Sequence, residues 1–129
     1  MSYVPAKGDA LKMPSGPDDH MFVILTDPFV GKGYQSHLLV NFSSVKAGVH
    51  HDPACVIAGG KHPFLRRESF VEYRFARIEL ASDLTGGVKN KRFEQLAPVS
   101  GTLLNQIRAG IGKSAFISRK CQGYFEKNK

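Results

Sequence analysis

The residues best suited to chemistry lie where short apolar segments meet turns. His20 ends the turn Asp18-Asp19-His20 just before an apolar run, and Ser43-Ser44 follows the run that ends in Asn41-Phe42. An imidazole can transfer a proton near neutral pH, and hydroxyl groups can hold a phosphate oxygen. The alternatives are a surface role for His20 and a serine turn that bonds to its own backbone.

A second group combines arginines with aromatic residues. The arginines are Arg66, Arg67, Arg74 and Arg77, and the aromatic residues near them are Phe64, Phe70, Tyr73 and Phe75. Guanidinium groups neutralise phosphates and rings stack on bases, so this composition indicates a surface for single-stranded nucleic acid. The alternative is that Tyr73 and Phe75 are core residues and that the arginines pair with Glu68, Glu72 and Glu79.

The densest set of metal-type ligands is His50-His51-Asp52 together with Cys55. Neighbouring side chains on an extended chain point apart, so the segment is predicted to be an ordinary polar loop. His62-Pro63-Phe64 is predicted to be a turn with an anchoring ring. The sequence contains no nucleophile elbow, phosphate-binding loop or dinucleotide fingerprint. We therefore expect neither a metal nor a cofactor.

Basic residues are distributed unevenly along the chain. The net charge of the 129 residues is +7, yet residues 1–87 hold nine basic and nine acidic side chains. Residues 88–129 hold nine basic residues against two acidic ones, beginning with Lys89, Lys91 and Arg92. This asymmetry predicts an acidic or polyanionic partner such as RNA, with a solvated basic tail as the alternative.

Length and composition favour a single domain without a membrane-spanning segment. No apolar run approaches the ~20 residues that a membrane helix needs, and the N-terminus has no apolar signal core. Cys55 and Cys121 are too few and too far apart for a disulfide framework, so both are predicted to be buried thiols. The expected location is the reducing cytoplasm.

The elements that must position these residues are mostly short strands. Apolar runs and turn residues predict strands over 7–13, 21–25, 37–42, 54–58 and 69–80, which together suggest a small antiparallel barrel over residues 7–80. Residues 81–99 are predicted to be a loop. The period then changes to that of helices over 100–127, with Ser100 and Ser118 as N-caps. The predicted fold is therefore α+β, mainly β, with helices at the C-terminus.

The order of these segments resembles the MazF/PemK (Kid-like) toxins of bacterial toxin–antitoxin modules. Lys7-Gly8-Asp9 with Met13-Pro14 is similar to the opening strand of that family, and Leu38-Leu39-Val40-Asn41-Phe42-Ser43-Ser44 to its strand ending in a Ser/Thr pair. Ser69-Phe70-Val71 through Arg77-Ile78 resembles the strand before its C-terminal helix. The resemblance covers most of residues 7–112 and depends on order and spacing, because no single motif is specific.

The resemblance implies an SH3-like barrel, a homodimer, an antitoxin partner and metal-independent cleavage of single-stranded RNA. Ser43 or Ser44 would then steady a phosphate oxygen. The arginine that the family carries in its first long turn is absent here, which leaves His20 as the candidate proton carrier and Arg74 or Arg77 as the source of positive charge. The alternative function is a non-catalytic barrel protein that binds nucleic acid or inhibits a protein target such as a topoisomerase.

Overall fold

The structure is a computed structural model that describes residues 2–128. These residues form eight strands, three α-helices and one 3-10 turn. The strands are β1 (Ala10–Ser15), β2 (Asp18–Ile24), β3 (Phe29–Gly31), β4 (Tyr34–Ser44), β5 (Val56–Ile57), β6 (Ser69–Val71), β7 (Arg77–Leu80) and β8 (Glu94–Leu96). The helices are α1 (Ala81–Lys89), α2 (Gly101–Gly110) and α3 (Arg119–Asn128). The predicted α+β class with a dominant antiparallel sheet is confirmed.

Strand β4 is the centre of the sheet. It pairs antiparallel with β2, β3, β6 and β7, and the hydrogen-bonded order runs β5-β6-β4-β2-β1-β8. One strand can serve four partners because its eleven residues are divided between them along both edges. The order ends at β5 and β8, so this sheet is open, and the pairing does not confirm a closed barrel.

Alternating residues of β2 and β4 supply two cores, one on each face of the sheet. Met21 and Val23 belong to the core that packs against α2 and α3. Phe22, Ile24 and Leu39 belong to the other core, which contains Leu84 of α1. Because both faces are covered, the runs are apolar throughout instead of alternating with polar residues.

Two predicted segments differ from the structure. The predicted strand 69–80 is divided into β6 and β7 by a 3-10 turn at Tyr73–Phe75, which accounts for the switch of apolar residues from one side to the other. The predicted loop 81–99 is wrong, because it contains α1 and β8. Gly86 and Gly87 weaken the helical pattern of α1, yet the missing side chain of Gly87 leaves the space that the Phe93 ring fills.

The C-terminal helices begin where the sequence predicts. Ser100 Oγ accepts a hydrogen bond from the Leu103 N–H at 3.1 Å, and Ser118 Oγ accepts one from the Cys121 N–H at 3.1 Å. Both bonds satisfy N–H groups that have no partner inside the helix. None of the helices within residues 2–128 has the length and apolar character needed to cross a bilayer.

Candidate functional site

One end of the sheet borders a cavity of about 670 Å³. Its walls are the tip of the β1–β2 hairpin, the ends of β4 and β6, and the two loops that flank β5. The predicted site residues that line it are His20, Ser43, Ser44, Arg66, Arg67 and Arg74. Tertiary structure thus brings together six side chains from four separate segments of the sequence.

His20 and Ser43 lie on the same face of the sheet. Phe22 of β2 stands opposite Asn41 of β4, so residues two positions away on each strand project to the same side. His20 is half-buried, and its Nδ1 atom is buried with no hydrogen-bond partner in the described part of the chain. An imidazole held in this way at a cavity wall is placed to exchange a proton with a bound ligand.

The two serines belong to strand β4 and do not form a self-bonded turn. Ser43 stands opposite Phe70 and Ser44 opposite Ser69, so β6 fixes their backbones. Ser43 is half-buried and Ser44 is exposed. Both residues line the cavity from a rigid strand end, and their side chains project to opposite faces of the strand, with Ser43 on the face of His20.

Arg66 and Arg67 are exposed on a loop with a buried anchor. The Nε2 atom of His62 lies 2.6 Å from the Ala97 carbonyl oxygen, and its Nδ1 accepts the Phe64 N–H at 3.0 Å. Because Nδ1 of the neutral ring accepts a hydrogen bond, the proton is on Nε2, which donates a hydrogen bond to the Ala97 carbonyl oxygen. The predicted turn with an anchoring ring at His62 is therefore confirmed, and it fixes the loop that carries the two arginines.

Arg74 has partners of its own at the cavity edge. Its Nε atom lies 3.1 Å from Glu72 Oε2, and its guanidinium carbon lies 4.6 Å from the centre of the Phe75 ring. Tyr73 is fully buried, whereas Phe75 is exposed. The alternative prediction of a core aromatic and an ion-paired arginine therefore holds for Tyr73 and Arg74. Phe75 is exposed to solvent and is not a core residue.

Arg77 is not brought to the cavity. It lies half-buried over the Phe22 ring, with its guanidinium carbon 4.3 Å from the ring centre, and pairs with Glu79 at 3.4 Å. Its position on β7 opposite Leu39 places it further along the sheet than His20. The structure therefore does not bring Arg77 together with Ser43 and His20 at this cavity, because Arg77 begins β7 after the 3-10 turn that contains Arg74.

The basic residues Lys89, Lys91 and Arg92 form a separate exposed group. They lie at the end of α1 and in the turn before β8, and Arg92 stacks over Phe93 at 5.0 Å. None of the three lines the cavity that holds His20. The two parts of the predicted nucleic-acid surface, Arg66-Arg67 and this group, are therefore not one continuous site.

Several cavity residues were not predicted as site residues from the sequence. Lys46, His50, His51 and Phe116 line the same cavity. The His51 ring lies 5.1 Å from the Phe70 ring, and His50 lies 6.2 Å from Phe116. The signal for His50 and His51 was their density of polar groups, but only folding places them beside Arg66. Among residues 2–128, no three His, Cys, Asp or Glu side chains converge as a metal site.

Most of the basic side chains of the cavity come from its loops, and two acidic side chains come from the hairpin tip. Lys46, Arg66 and Arg67 come from the loops together with the hydrogen-bonded carboxylate of Asp52, whereas Asp18 and Asp19 come from the hairpin tip. An anionic ligand is favoured on the loop side, and a group with hydrogen-bond donors on the hairpin side.

The buried cysteines lie in the hydrophobic core that also contains residues of α2 and α3. Both cysteines are free and buried, as the sequence predicts. Burial raises the pKa of the Cys55 thiol, and burial with Cys55 nearby raises the pKa of Tyr73. The Tyr73 hydroxyl donates a 2.7 Å hydrogen bond to the Ile107 carbonyl. These protonated groups support the fold and are poor nucleophiles.

No protein-family model matches this chain, and comparison with curated proteins finds no match.

Proposed function

We propose that this protein is a toxin-like component of a toxin–antitoxin module, a metal-independent endoribonuclease that cleaves single-stranded RNA. The observation that supports it is the cavity that gathers His20, Ser43, Ser44, Arg66 and Arg67. A proton carrier, hydroxyl donors and cations in one cavity are the groups that phosphodiester cleavage needs. The resemblance to the MazF/PemK toxins in segment order points to the same chemistry.

The reaction uses the RNA itself as the nucleophile. The 2′-hydroxyl attacks the adjacent phosphorus while His20 accepts its proton, and the bond from phosphorus to the 5′-oxygen breaks. The products are a 2′,3′-cyclic phosphate and a 5′-hydroxyl, whose oxygen takes a proton from water. Ser43 or Ser44 donates a hydrogen bond to a phosphate oxygen, and the guanidinium group of Arg74, Arg66 or Arg67 stabilises the added negative charge.

Exposed rings beside the cations support binding of a single strand. Phe64 is 38% exposed and Phe116 is 46% exposed, and both line the cavity. Stacking of a base on such a ring contributes about 1–3 kcal/mol and tolerates different bases. The strand is proposed to run along the loop side of the cavity, with its phosphates near Arg66 and Arg67.

The proposal also includes the fold, the assembly, the location and the partner that the resemblance implies. They are an SH3-like small barrel, a homodimer, a cytoplasmic location and an antitoxin with an acidic or disordered segment. The division of β4 among four partners supports the barrel, since such sharing bends a sheet on itself. The exposed basic group Lys89, Lys91 and Arg92 supports docking of an acidic segment away from the cavity.

A second candidate function is binding without cleavage, either of nucleic acid or of a protein target such as a topoisomerase. The pairing of Arg74 with Glu72 favours it, because a guanidinium already neutralised by a carboxylate stabilises a phosphate less. In that case the cavity holds a strand or a peptide and performs no chemistry.

The test is cleavage of a mixed-sequence RNA in the presence of EDTA by the full chain and by His20→Ala. We expect cleavage that leaves cyclic phosphate ends, and a loss of roughly 100-fold or more in the variant, the usual contribution of a proton-transferring side chain. Undiminished cutting by a folded His20→Ala protein would reject His20 as the base. RNA binding without cleavage would favour the second function in its nucleic-acid-binding form. If the protein neither binds nor cleaves RNA, the result would favour inhibition of a protein target.

A further inference from the structure

A smaller cavity of about 320 Å³ adjoins the proposed active site. Its lining includes His20, Ser43 and Glu72, which also line the larger cavity, together with Asn41 and Phe75. The two cavities are therefore neighbours that share one wall. A ligand with its phosphate at Ser43 would have its base within reach of the smaller one.

Asn41 is the least expected residue in this wall. It is only 2% exposed, and its Oδ1 atom has no hydrogen-bond partner in the described part of the chain. Burying such a group unpaired destabilises a fold. His20 Nδ1 is buried and unpaired in the same way. Two unpaired polar atoms around one cavity indicate that a ligand supplies the missing partners.

Backbone pairing holds Asn41 in this position from both sides. Asn41 stands opposite Phe22 of β2, and its carbonyl oxygen accepts the Glu72 N–H at 2.9 Å. The Asn41 carbonyl therefore has its partner, whereas the side-chain oxygen is available for a ligand. The same bond sets the Glu72 backbone directly beside Asn41, so an amide oxygen and a carboxylate line one small cavity.

The chemistry of these atoms selects the ligand. Asn41 Oδ1 and the Glu72 carboxylate are hydrogen-bond acceptors, and Glu72 uses only Oε2 for Arg74. Two acceptors favour a base with an exocyclic amine, which carries two N–H donors. Uracil has a single ring N–H, so it can satisfy only one of these two acceptors and leaves the other unpaired.

An aromatic ring completes the arrangement. Phe75 is 53% exposed, lines the smaller cavity and carries the Arg74 guanidinium on its ring at 4.6 Å. A base can stack on the exposed part of this ring while its edge meets Asn41. The ring thus supplies affinity, and the acceptors supply selectivity.

We infer that this smaller cavity is a base-recognition subsite that accepts an amine-bearing base, namely adenine, cytosine or guanine, and rejects uracil. The inference rests on the proposed function, because it assigns the base next to the phosphate that Ser43 holds. Asn41 and Glu72 are the specificity-determining residues of the subsite.

The test measures binding separately from cleavage. The probes are 2′-deoxy pentamers, which lack the attacking hydroxyl: an all-deoxyuridine pentamer and three versions with deoxyadenosine, deoxycytidine or deoxyguanosine at the centre. Each is titrated into the full chain, with the ¹⁵N signal of the Asn41 side-chain amide as an additional readout. We expect the all-deoxyuridine pentamer to bind weakest, by roughly tenfold, as for one base-edge contact pair. The Asn41 amide signal should shift only with the amine-bearing pentamers.

Two variants and a control sharpen the result. Asn41→Leu should reduce the affinity for the substituted pentamers to that for the all-deoxyuridine one. Glu72→Gln, which removes a charge from a half-buried side chain, tests the same point if Asn41→Leu does not fold. Asn90→Ala, an exposed asparagine after α1, should retain the full discrimination.

The outcomes separate the inference from the proposed function. Equal binding of all four pentamers, with RNA cleavage intact, would overturn the subsite and leave the nuclease standing. Discrimination that survives both Asn41→Leu and Glu72→Gln would place base recognition elsewhere. Failure of every pentamer to bind, together with absence of RNA cleavage, would overturn both.

Discussion

The Ser114 hydroxyl donates a 2.6 Å hydrogen bond to Asp52 Oδ2 across 62 positions of sequence. Asp52 also accepts the Ala54 N–H at 3.0 Å, and Ser114 Oγ accepts the Phe116 N–H at 3.1 Å. This bond joins the loop before β5 to the connection between α2 and α3. It therefore fixes the two walls that carry His50 and Phe116, and the width of the larger cavity depends on it.

Ser114→Ala should lower the free energy of unfolding by about 1–3 kcal/mol, because the buried Asp52 carboxylate loses a partner and the N–H groups of Phe116 and Ile117 lose their acceptor. Urea denaturation followed by circular dichroism measures the change. Ser82→Ala, on the exposed side of α1, is the matched control and should stay within about 0.5 kcal/mol of the unmodified chain. A Ser114→Ala protein as stable as this control would show that the bond contributes nothing.

Gly110→Ala should be strongly destabilising. A Cβ at Gly110 would collide with the Tyr73 hydroxyl, which is bonded to the Ile107 carbonyl. Overpacking of this kind costs about 1–3 kcal/mol, and displacement of the hydroxyl would leave the buried Tyr73 oxygen without a partner.

A second helical glycine provides the matched control for Gly110. Gly123 of α3 is exposed, and a Cβ there would meet nothing within 4 Å. Gly123→Ala should therefore stabilise the chain by up to about 1 kcal/mol, since alanine is the better helix former. Thermal unfolding of both variants measures the difference, and equal melting temperatures would contradict the packing of Tyr73 against α2.

The folded chain should lose stability as the pH rises above about 9. The pKa values of Cys55 and Tyr73 are raised above their ordinary values of 9.0 and 10.0 by burial. As the pH passes those ordinary values, the unfolded chain releases protons that the folded chain retains, so the free energy of unfolding decreases. Urea titrations between pH 8 and 11 measure the slope.

Two tyrosine substitutions, one buried and one exposed, test which group causes the loss of stability at alkaline pH. Tyr73→Phe removes one of the titrating groups and should flatten the slope, although it also lowers the stability at neutral pH by removing the bond to Ile107. Tyr34→Phe, at an exposed tyrosine, should keep the original slope. A slope unaffected by Tyr73→Phe would assign the effect to other groups.

The salt dependence of RNA binding should identify the cations that contact phosphate. Each phosphate contact with a single strand contributes about 0.7 to the slope of log affinity against log salt. Arg66→Ala should reduce the slope by about that amount, because Arg66 lines the cavity. Arg92→Ala should leave it unchanged, because Arg92 lies over Phe93 outside the cavity. A slope reduced by Arg92→Ala and unchanged by Arg66→Ala would place the bound RNA at the basic group of Lys89, Lys91 and Arg92.

The sequence allowed some of the site to be predicted because the relevant signals are local. The position of His20 before an apolar run and of Ser43-Ser44 after one marks strand ends in any sheet. From the sequence, Arg77 was grouped with Arg74 because the pattern of 69–80 suggests one strand. In the structure a 3-10 turn at Tyr73–Phe75 separates them, and the hydrogen bond from Tyr73 to α2 stabilises this turn. Helix α1 was missed because its two glycines weaken the local signal, and only the packing of Leu84 and Phe93 makes it a helix.

By itself the sequence determined the α+β class, the main strands, the capped C-terminal helices and the burial of both cysteines. All of these follow from short-range periodicity, turn residues and composition, which act within a few residues of the chain. Only the tertiary structure decided that Asn41 is buried with an unpaired oxygen, that His50 and Phe116 meet, and that Lys89 lies apart from Arg66. Those relationships depend on which strand pairs with which, and long-range pairing is set by the collective packing of both sheet faces and by no single segment.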